Sequence, residues 1–381
     1  MNRSLTELQY QCHELDLVFS AFDTKEMLMD LLATRLGKDD PTLQLPCLLS
    51  RDVKKIKEIQ FQQLLTDPKY VYEQKIDGCR AKLHLAAAPG ETRIDSRHRS
   101  VKTFQYREAT ENFPHMQALG SKDLGGTILD GECKMPVDRM RLGQTDTQDS
   151  LTSAASVFNS KPQRAQEIQR LYGLMQYIAF DILYYQGVDI RGFNFQTRRE
   201  YLEKVIKQLD GITDGWLHLS TVYTTEPEQL FKDIVNLGGE GIMIKDTTSP
   251  YTLKAGSRPK AMYKWKKLLT GKCFVTGYVT GQGEFDGLVG SLLVSCYDKK
   301  NDQPREIGAV QPGDLAMRYE MSLADGSLAA EMYGTTLTCI FQQWTKNKRM
   351  RHAIVSNRNA QATREEMVVD FKQEIPKWLI S

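Results

Sequence analysis

The stretch Tyr72-Glu73-Gln74-Lys75-Ile76-Asp77-Gly78-Cys79-Arg80 holds the arrangement Lys-x-Asp-Gly-x-Arg, and its reading organises the rest of the chain. A deprotonated lysine can attack phosphorus. The glycine lets backbone come close to a bound nucleotide, and the arginine faces negative charge. Nucleotidyl transfer to an amine needs this set of residues. Around it, residues 70–76 and 80–85 read as two strands flanking the Asp77-Gly78 turn, which is a hairpin signal.

Further strands follow. Thr127-Ile128-Leu129 runs into Asp130-Gly131-Glu132. Residues 177–185 are apolar and aromatic, as in a buried strand, and 241–245 and 261–267 are short strands. Thr197 is expected to cap a helix reaching 209, with Glu200 completing a capping box. Residues 1–40 read as helix, with Leu5, Leu8, Leu15, Val18 and Phe19 at helical spacing, until Asp39-Asp40-Pro41 interrupts. Residues 137–165 are polar and read as a long loop with some helix. After Leu269 the character changes to short strands, 274–279, 291–297 and 306–310, with Gly-rich turns and a loop at 301–304. A compact β-barrel of about 100 residues is expected there. The predicted domains are 1–268, with a helical N-terminal segment over 1–45, and 269–381.

Composition suits a globular protein of two domains: 381 residues, 41% hydrophobic and 26% charged. No apolar run is long enough for a membrane span, and Met1-Asn2-Arg3-Ser4-Leu5-Thr6-Glu7 lacks a signal-peptide core. The seven cysteines are scattered without a Cys-x-x-Cys pair, which argues for a reducing cytoplasm and against a disulfide framework or structural zinc. A net charge of +2 still leaves 50 Lys and Arg that can cluster on one face, as in Arg97-His98-Arg99 and Lys264-Trp265-Lys266-Lys267.

Five motifs follow Lys75 in order: Ser96-Arg97, Leu129-Asp130-Gly131-Glu132, Phe180-Asp181, Glu240-Gly241-Ile242-Met243-Ile244-Lys245 and Lys264-Trp265-Lys266. Their order and spacing resembles the covalent nucleotidyltransferase superfamily of ATP-dependent DNA ligases, RNA ligases and mRNA capping enzymes. The small ATP-dependent DNA ligases of bacteriophages and bacteria are the most similar branch. The segment Phe180-Asp181-Ile182-Leu183 with Gly187 and Arg198-Arg199 matches it, as does Gly277-Tyr278 with Gly290-Ser291-Leu292-Leu293. The resemblance covers about residues 70–355 and implies an α+β fold. It comprises an adenylation domain of antiparallel sheets with helices, followed by an OB-fold β-barrel.

The resemblance also implies roles. Lys75 is the nucleophile, and Lys245, Lys264 and Lys266 hold the α-phosphate. Glu73 meets the adenine amino group, with Gln74 and Ile76 beside it. Arg80 contacts ribose or phosphate, Glu132 a ribose hydroxyl, and Phe180 stacks on adenine. Glu240 holds a divalent metal, Mg²⁺ with Mn²⁺ as substitute, and Asp130 is a weaker candidate for metal or ribose. Arg97 contacts the 5′-phosphate of a nick, and Arg351 orients pyrophosphate. Arg198 and Arg199 are read as structural ion-pair donors. The implied substrates are ATP and nicked duplex DNA. The protein is expected to be a monomer in the cytoplasm, the host's if the chain comes from a phage. The rivals are an RNA ligase or capping guanylyltransferase, and a binding module without catalysis. Nucleotide choice and substrate sugar separate the first pair, and loss of the nucleophile or metal carboxylate would mark the last.

Overall fold

The computed structural model describes residues 5, 8–9, 12, 27–29, 41–100, 104–136, 154–251, 259–345, 347–358 and 361–374. The chain forms two compact units, with the break between Trp265 and Lys266.

The first unit holds β1 (Arg51–Asp52), β2 (Tyr70–Gln74), β3 (Cys79–Leu85), β4 (Arg93–Arg99), β5 (Tyr106–Glu108) and β6 (Thr127–Lys134). It continues with β7 (Gln176–Tyr185), β8 (Val188–Asp189), β9 (Leu217–Leu219), β10 (Val222–Tyr223), β11 (Gly241–Asp246) and β12 (Met262–Lys266), whose last residue falls past the break. One sheet runs β1-β12-β11-β2-β10, and the other runs β5-β4-β3-β6-β7-β8 with β9 beside β7. Pairing is mostly antiparallel, and β1 with β12 and β7 with β9 are parallel.

Alternation along each strand sorts core from chemistry. On the first sheet Tyr70, Tyr72, Ile242, Ile244 and Tyr263 gather with Leu64 and Ile234. The helices Glu58–Thr66 and Pro227–Asn236, which carry Leu64 and Ile234, cover that face. Trp265 joins it by stacking on Phe231, with ring centroids 4.1 Å apart. The intervening Glu73, Lys245 and Lys264 therefore belong to the opposite face. On the second sheet Ala81, Leu83, Leu129, Cys133, Tyr177 and Ala179 enter the main core with Leu202 and Val205 of the helix Phe195–Leu209. Each large apolar side chain buried there contributes about 1.5–3 kcal/mol. The alternate residues Arg80, Asp130 and Glu132 lie on the other face.

The hairpin expected around Asp77-Gly78 does not form. β2 pairs with β10 and β11, whereas β3 pairs with β4 and β6. Residues 75–78 are a crossing from one sheet to the other, and Lys75 stands on it. The crossing also explains Gly78 differently from the nucleotide contact expected of it. A Cβ there would lie 2.3 Å from the Cys133 carbonyl oxygen of β6, so only glycine lets the loop lie against that strand. The helix expected to start at Thr197 starts earlier. Asn194 is its cap, its Oδ1 accepting from the Thr197 N–H at 2.8 Å.

The second unit holds β13 (Leu269–Thr280), β14 (Val289–Asp298), β15 (Gln303–Val310), β16 (Thr336–Phe341), β17 (Ile354–Asn357) and β18 (Val368–Val369). The order is β15-β14-β13-β16-β17, with β18 beside β14. Gln303 and Pro304, expected in a loop, begin β15. Past β15 the sheet curls. The Gln311 N–H donates to the Ala353 carbonyl at 3.1 Å, and the Val355 N–H to the Gln311 carbonyl at 3.0 Å. The Met350 N–H reaches the Ile307 carbonyl at 2.7 Å. These bonds bring the two sheet edges together without a continuous ladder, so the expected OB-type barrel has an open seam.

Among the described residues no helix is long and apolar enough to cross a membrane. In the N-terminal segment Leu8, Cys12 and Leu28 are helical and buried, whereas Leu15, Val18 and Phe19 lie outside the described residues. Of the expected loop over 137–165, residues 154–159 are helical and a second helix, Pro162–Tyr172, follows. Arg139 and Arg141 lie outside the described residues.

Candidate active site

Lys75 follows β2, and its backbone N–H donates to the Gly241 carbonyl at 2.9 Å, which fixes the end of β2 to the start of β11. Its Nζ donates to Glu240 Oε2 at 2.6 Å. Both side chains are only partly exposed, 22% and 13%. The candidate nucleophile is therefore reachable and already paired with the candidate metal carboxylate.

Beside this pair lies a second one. Lys245 Nζ donates to Glu73 Oε2 at 2.7 Å and to the Phe180 carbonyl at 3.1 Å. The same ammonium stands 4.9 Å from the Phe180 ring centroid. Phe180 is half-buried rather than sealed in the core, as a ring awaiting a stacking partner would be. Glu73 is 2% exposed, and its other oxygen, Oε1, is buried without a hydrogen-bond partner. A buried acceptor of this kind costs free energy until a donor reaches it. An adenine amino group is such a donor, so the donor and acceptor chemistry here fits ATP.

The second sheet contributes Glu132. Burial pushes its carboxyl up to about 7, opposed by the positive charges of Lys75 and Arg80 and, more weakly, Arg97. Arg97 itself is exposed on β4. Lys264 and Lys266 are half-buried on β12, two residues apart and hence on one face. Gln74 is exposed at the end of β2, and Ile76 is half-buried on the crossing. Arg351 belongs to the second unit, where its backbone N–H donates to the Gln343 carbonyl at 3.0 Å.

Two expected roles give way to different geometry. Arg80 is not turned to an open site. Its Nε and Nη2 clasp both oxygens of Asp130, at 2.9 and 2.5 Å, and its Nη1 donates to the Leu48 carbonyl at 2.7 Å. Asp130 is fully buried, and Tyr251 donates its hydroxyl to the same carboxylate at 2.8 Å. With both oxygens engaged and the residue fully buried, Asp130 serves as the counter-ion of Arg80 rather than as a metal ligand. The pair still touches the site, because the guanidinium lies 5.2 Å from the Phe180 ring centroid. Beside Lys75, Glu240 is thus the carboxylate left for a divalent ion. Among the described residues no group of three or more His, Cys, Asp or Glu side chains could hold a metal. A single carboxylate suits Mg²⁺, which keeps several waters and takes substrate phosphates as its other ligands.

The adjacent arginines of the helix Phe195–Leu209 separate. Arg198 clasps Asp181 through Nε at 2.8 Å and Nη2 at 2.9 Å, a buried ion pair of the structural kind expected. Arg199 points elsewhere, and its Nη1 stands 3.8 Å from Glu73 Oε1. The sequence held no sign of that second contact.

Comparison with known proteins follows the same line. A family profile described as ATP dependent DNA ligase domain matches residues 48–266, more than half of the chain. A DNA ligase of Methanopyrus kandleri is 33% identical over 138 residues, 35% of this chain and 24% of that protein. One of Methanosphaera stadtmanae is 30% identical over 239 residues, 62% of this chain and 39% of that protein. The chain thus spans less than half the length of these relatives. A solved structure from work on Lig E DNA ligases superposes with a TM-score of 0.54 at 18% identity. That match covers 82% of this chain and 98% of the other, and the two share a fold.

Proposed function

The chain belongs to the ATP-dependent DNA ligase family, and from that premise we propose that it seals nicks in duplex DNA through a lysyl-AMP on Lys75. One observation carries this reading. Lys75 stands on the crossing between two sheets, paired with Glu240, while Glu73 and Lys245 wait beside it with an unsatisfied acceptor.

In the first step the deprotonated Nζ of Lys75 attacks the α-phosphorus of ATP. A P–N bond forms, the bond to the bridging oxygen breaks, pyrophosphate leaves with the electron pair, and the lysine proton passes to solvent. Lys245 on β11, next to β2, and Lys264 and Lys266 on β12, the strand beyond, supply positive charge where phosphate charge develops. Glu132 accepts from a ribose hydroxyl, Glu73 from the adenine amine, and Phe180 stacks on the base. A divalent ion on Glu240 supplies neutralisation of phosphate charge. In the second step a 5′-phosphate oxygen displaces Lys75 from the adenylyl group, and the lysine regains a proton. In the third the adjacent 3′-hydroxyl loses its proton to solvent and attacks the 5′-phosphorus, the bond to the bridging oxygen breaks, and AMP leaves with the electron pair.

Contacts to the duplex are mainly to phosphates, with Arg97 on the 5′-phosphate and a steep dependence on salt. The protein acts as a monomer. A cytoplasmic setting suits seven cysteines that form no disulfide. The test is incubation with α-labelled ATP or GTP, with and without Mg²⁺, beside Lys75→Ala. Label from ATP that stays on the protein and then chases into sealed nicked DNA supports the reading. Label from GTP alone, or none at all, overturns it.

A further inference from the structure

We infer that Arg199 is a positioning residue for Glu73 and sets the choice of adenine over a 6-oxo purine. The inference rests on the adenylation reading. Glu73 is buried, with Oε2 taken by Lys245 and Oε1 unpartnered. An isolated carboxylate in such a place would be strongly disfavoured. Lys245 alone could neutralise it, but nothing would then keep the second oxygen from turning toward the same ammonium.

Arg199 prevents that without consuming the free oxygen. Its Nη1 stands 3.8 Å from Glu73 Oε1, within reach of charge but beyond hydrogen-bond length. The guanidinium is held at that distance by three other bonds. Nη2 donates to the Ser220 carbonyl at 2.6 Å, Nη1 to Ser220 Oγ at 3.0 Å, and Nε to Glu203 Oε1 at 2.8 Å. Ser220 is itself fixed, its N–H donating to the Ala179 carbonyl of β7 at 2.9 Å. The result is a buried acceptor with a cation on two sides and left open on one.

Such an oxygen accepts from an amine and repels a carbonyl. It therefore favours adenine, whose position 6 carries a donor, over hypoxanthine or guanine, whose position 6 carries an acceptor. Arg199 touches neither nucleotide nor reacting atoms in this scheme, and its effect passes through Glu73.

The test compares labelling of the protein by α-labelled ATP, inosine triphosphate and purine riboside triphosphate, which lacks any group at position 6. Arg199→Met should lose roughly tenfold or more of the preference for ATP over inosine triphosphate. Labelling by purine riboside triphosphate should change much less. Arg199→Lys should restore part of the preference. Ser220→Ala, which removes one anchor and keeps the carbonyl, should shift it in the same direction and serves if Arg199→Met does not fold. An unchanged ratio of ATP to inosine triphosphate in these variants overturns the inference. So does an equal fall for all three nucleotides, which is what a merely structural arginine would give. Absence of label on the unaltered protein fails the adenylation reading itself, and the inference with it.

Discussion

Lys75 Nζ lies 2.6 Å from Glu240 Oε2, so the proposed nucleophile is paired across 165 residues with the carboxylate proposed to hold a divalent ion. The pair joins the crossing after β2 to the turn before β11. It is partly exposed and adds little to stability, about 0–1 kcal/mol for a pair of this kind.

Chemistry rather than folding should therefore suffer when it is cut. Lys75→Arg keeps the charge but cannot lose its proton, and should give no covalent label while melting within a few degrees of the unaltered protein. Glu240→Ala should fold as well and slow labelling by about a hundredfold. A variant that keeps labelling at the original rate would remove Glu240 from the site.

Gly78→Ala tests the crossing. The added Cβ would lie 2.3 Å from the Cys133 carbonyl oxygen, and backbone cannot yield as a side chain does. A loss of about 1–3 kcal/mol is expected, together with a large loss of labelling, because Lys75 moves with the loop. Denaturant unfolding and labelling, measured together, check it. Normal labelling with normal stability would show that the loop can be accommodated some other way.

Asp181→Ala leaves Arg198 buried without its carboxylate. Removal of one partner from a buried pair costs about 3–5 kcal/mol. Thermal unfolding should show the drop, and Asp181→Asn should recover part of it by accepting one of the two hydrogen bonds. The effect should fall on stability, since this pair holds the helix Phe195–Leu209 against β7.

Glu132 gives a pH dependence. Burial raises its carboxyl to about 7, so the folded protein keeps a proton that an unfolded carboxyl, near 4.5, has already lost. Stability from this group is therefore greatest at low pH and falls as pH rises from about 4.5 to 7. Nucleotide binding should move the other way, because the ionised carboxylate is the better acceptor for a ribose hydroxyl. ATP affinity should rise between pH 6 and 8, and Glu132→Gln should flatten that rise. A titration by calorimetry in both proteins decides it.

Much of this was legible because strands alternate. In Tyr70–Gln74, Gly241–Asp246 and Met262–Lys266, aromatic and branched residues take one face and Glu73, Lys245 and Lys264 the other. The misread hairpin shows the limit. Asp-Gly marks a reversal of the chain, but which strands then pair depends on residues far away, β10 and β11 for β2. The clasp between Arg80 and Asp130 beside Phe180 escaped the reading for the same reason. A sequence gives the charges but not that one guanidinium will clasp the neighbouring strand's carboxylate. The contact of Arg199 with Glu73 escaped notice because consecutive helical residues point about 100° apart, and only the assembled fold shows which one meets Glu73. In the second unit the seam between Gln311 and residues 353–355 depends on contacts with no local signature.

The crossing on which Lys75 stands has a consequence during synthesis. Glu240 and Lys245 emerge well over a hundred residues after the lysine they serve, and the Lys245–Glu73 contact spans 172 positions. A nascent chain stopped short of β11 would display its nucleophile with neither partner and no closed sheet to hold it. On the proposed reading, adenylation of Lys75 is thereby deferred until translation has passed β11, so an unfinished polypeptide wastes no nucleotide.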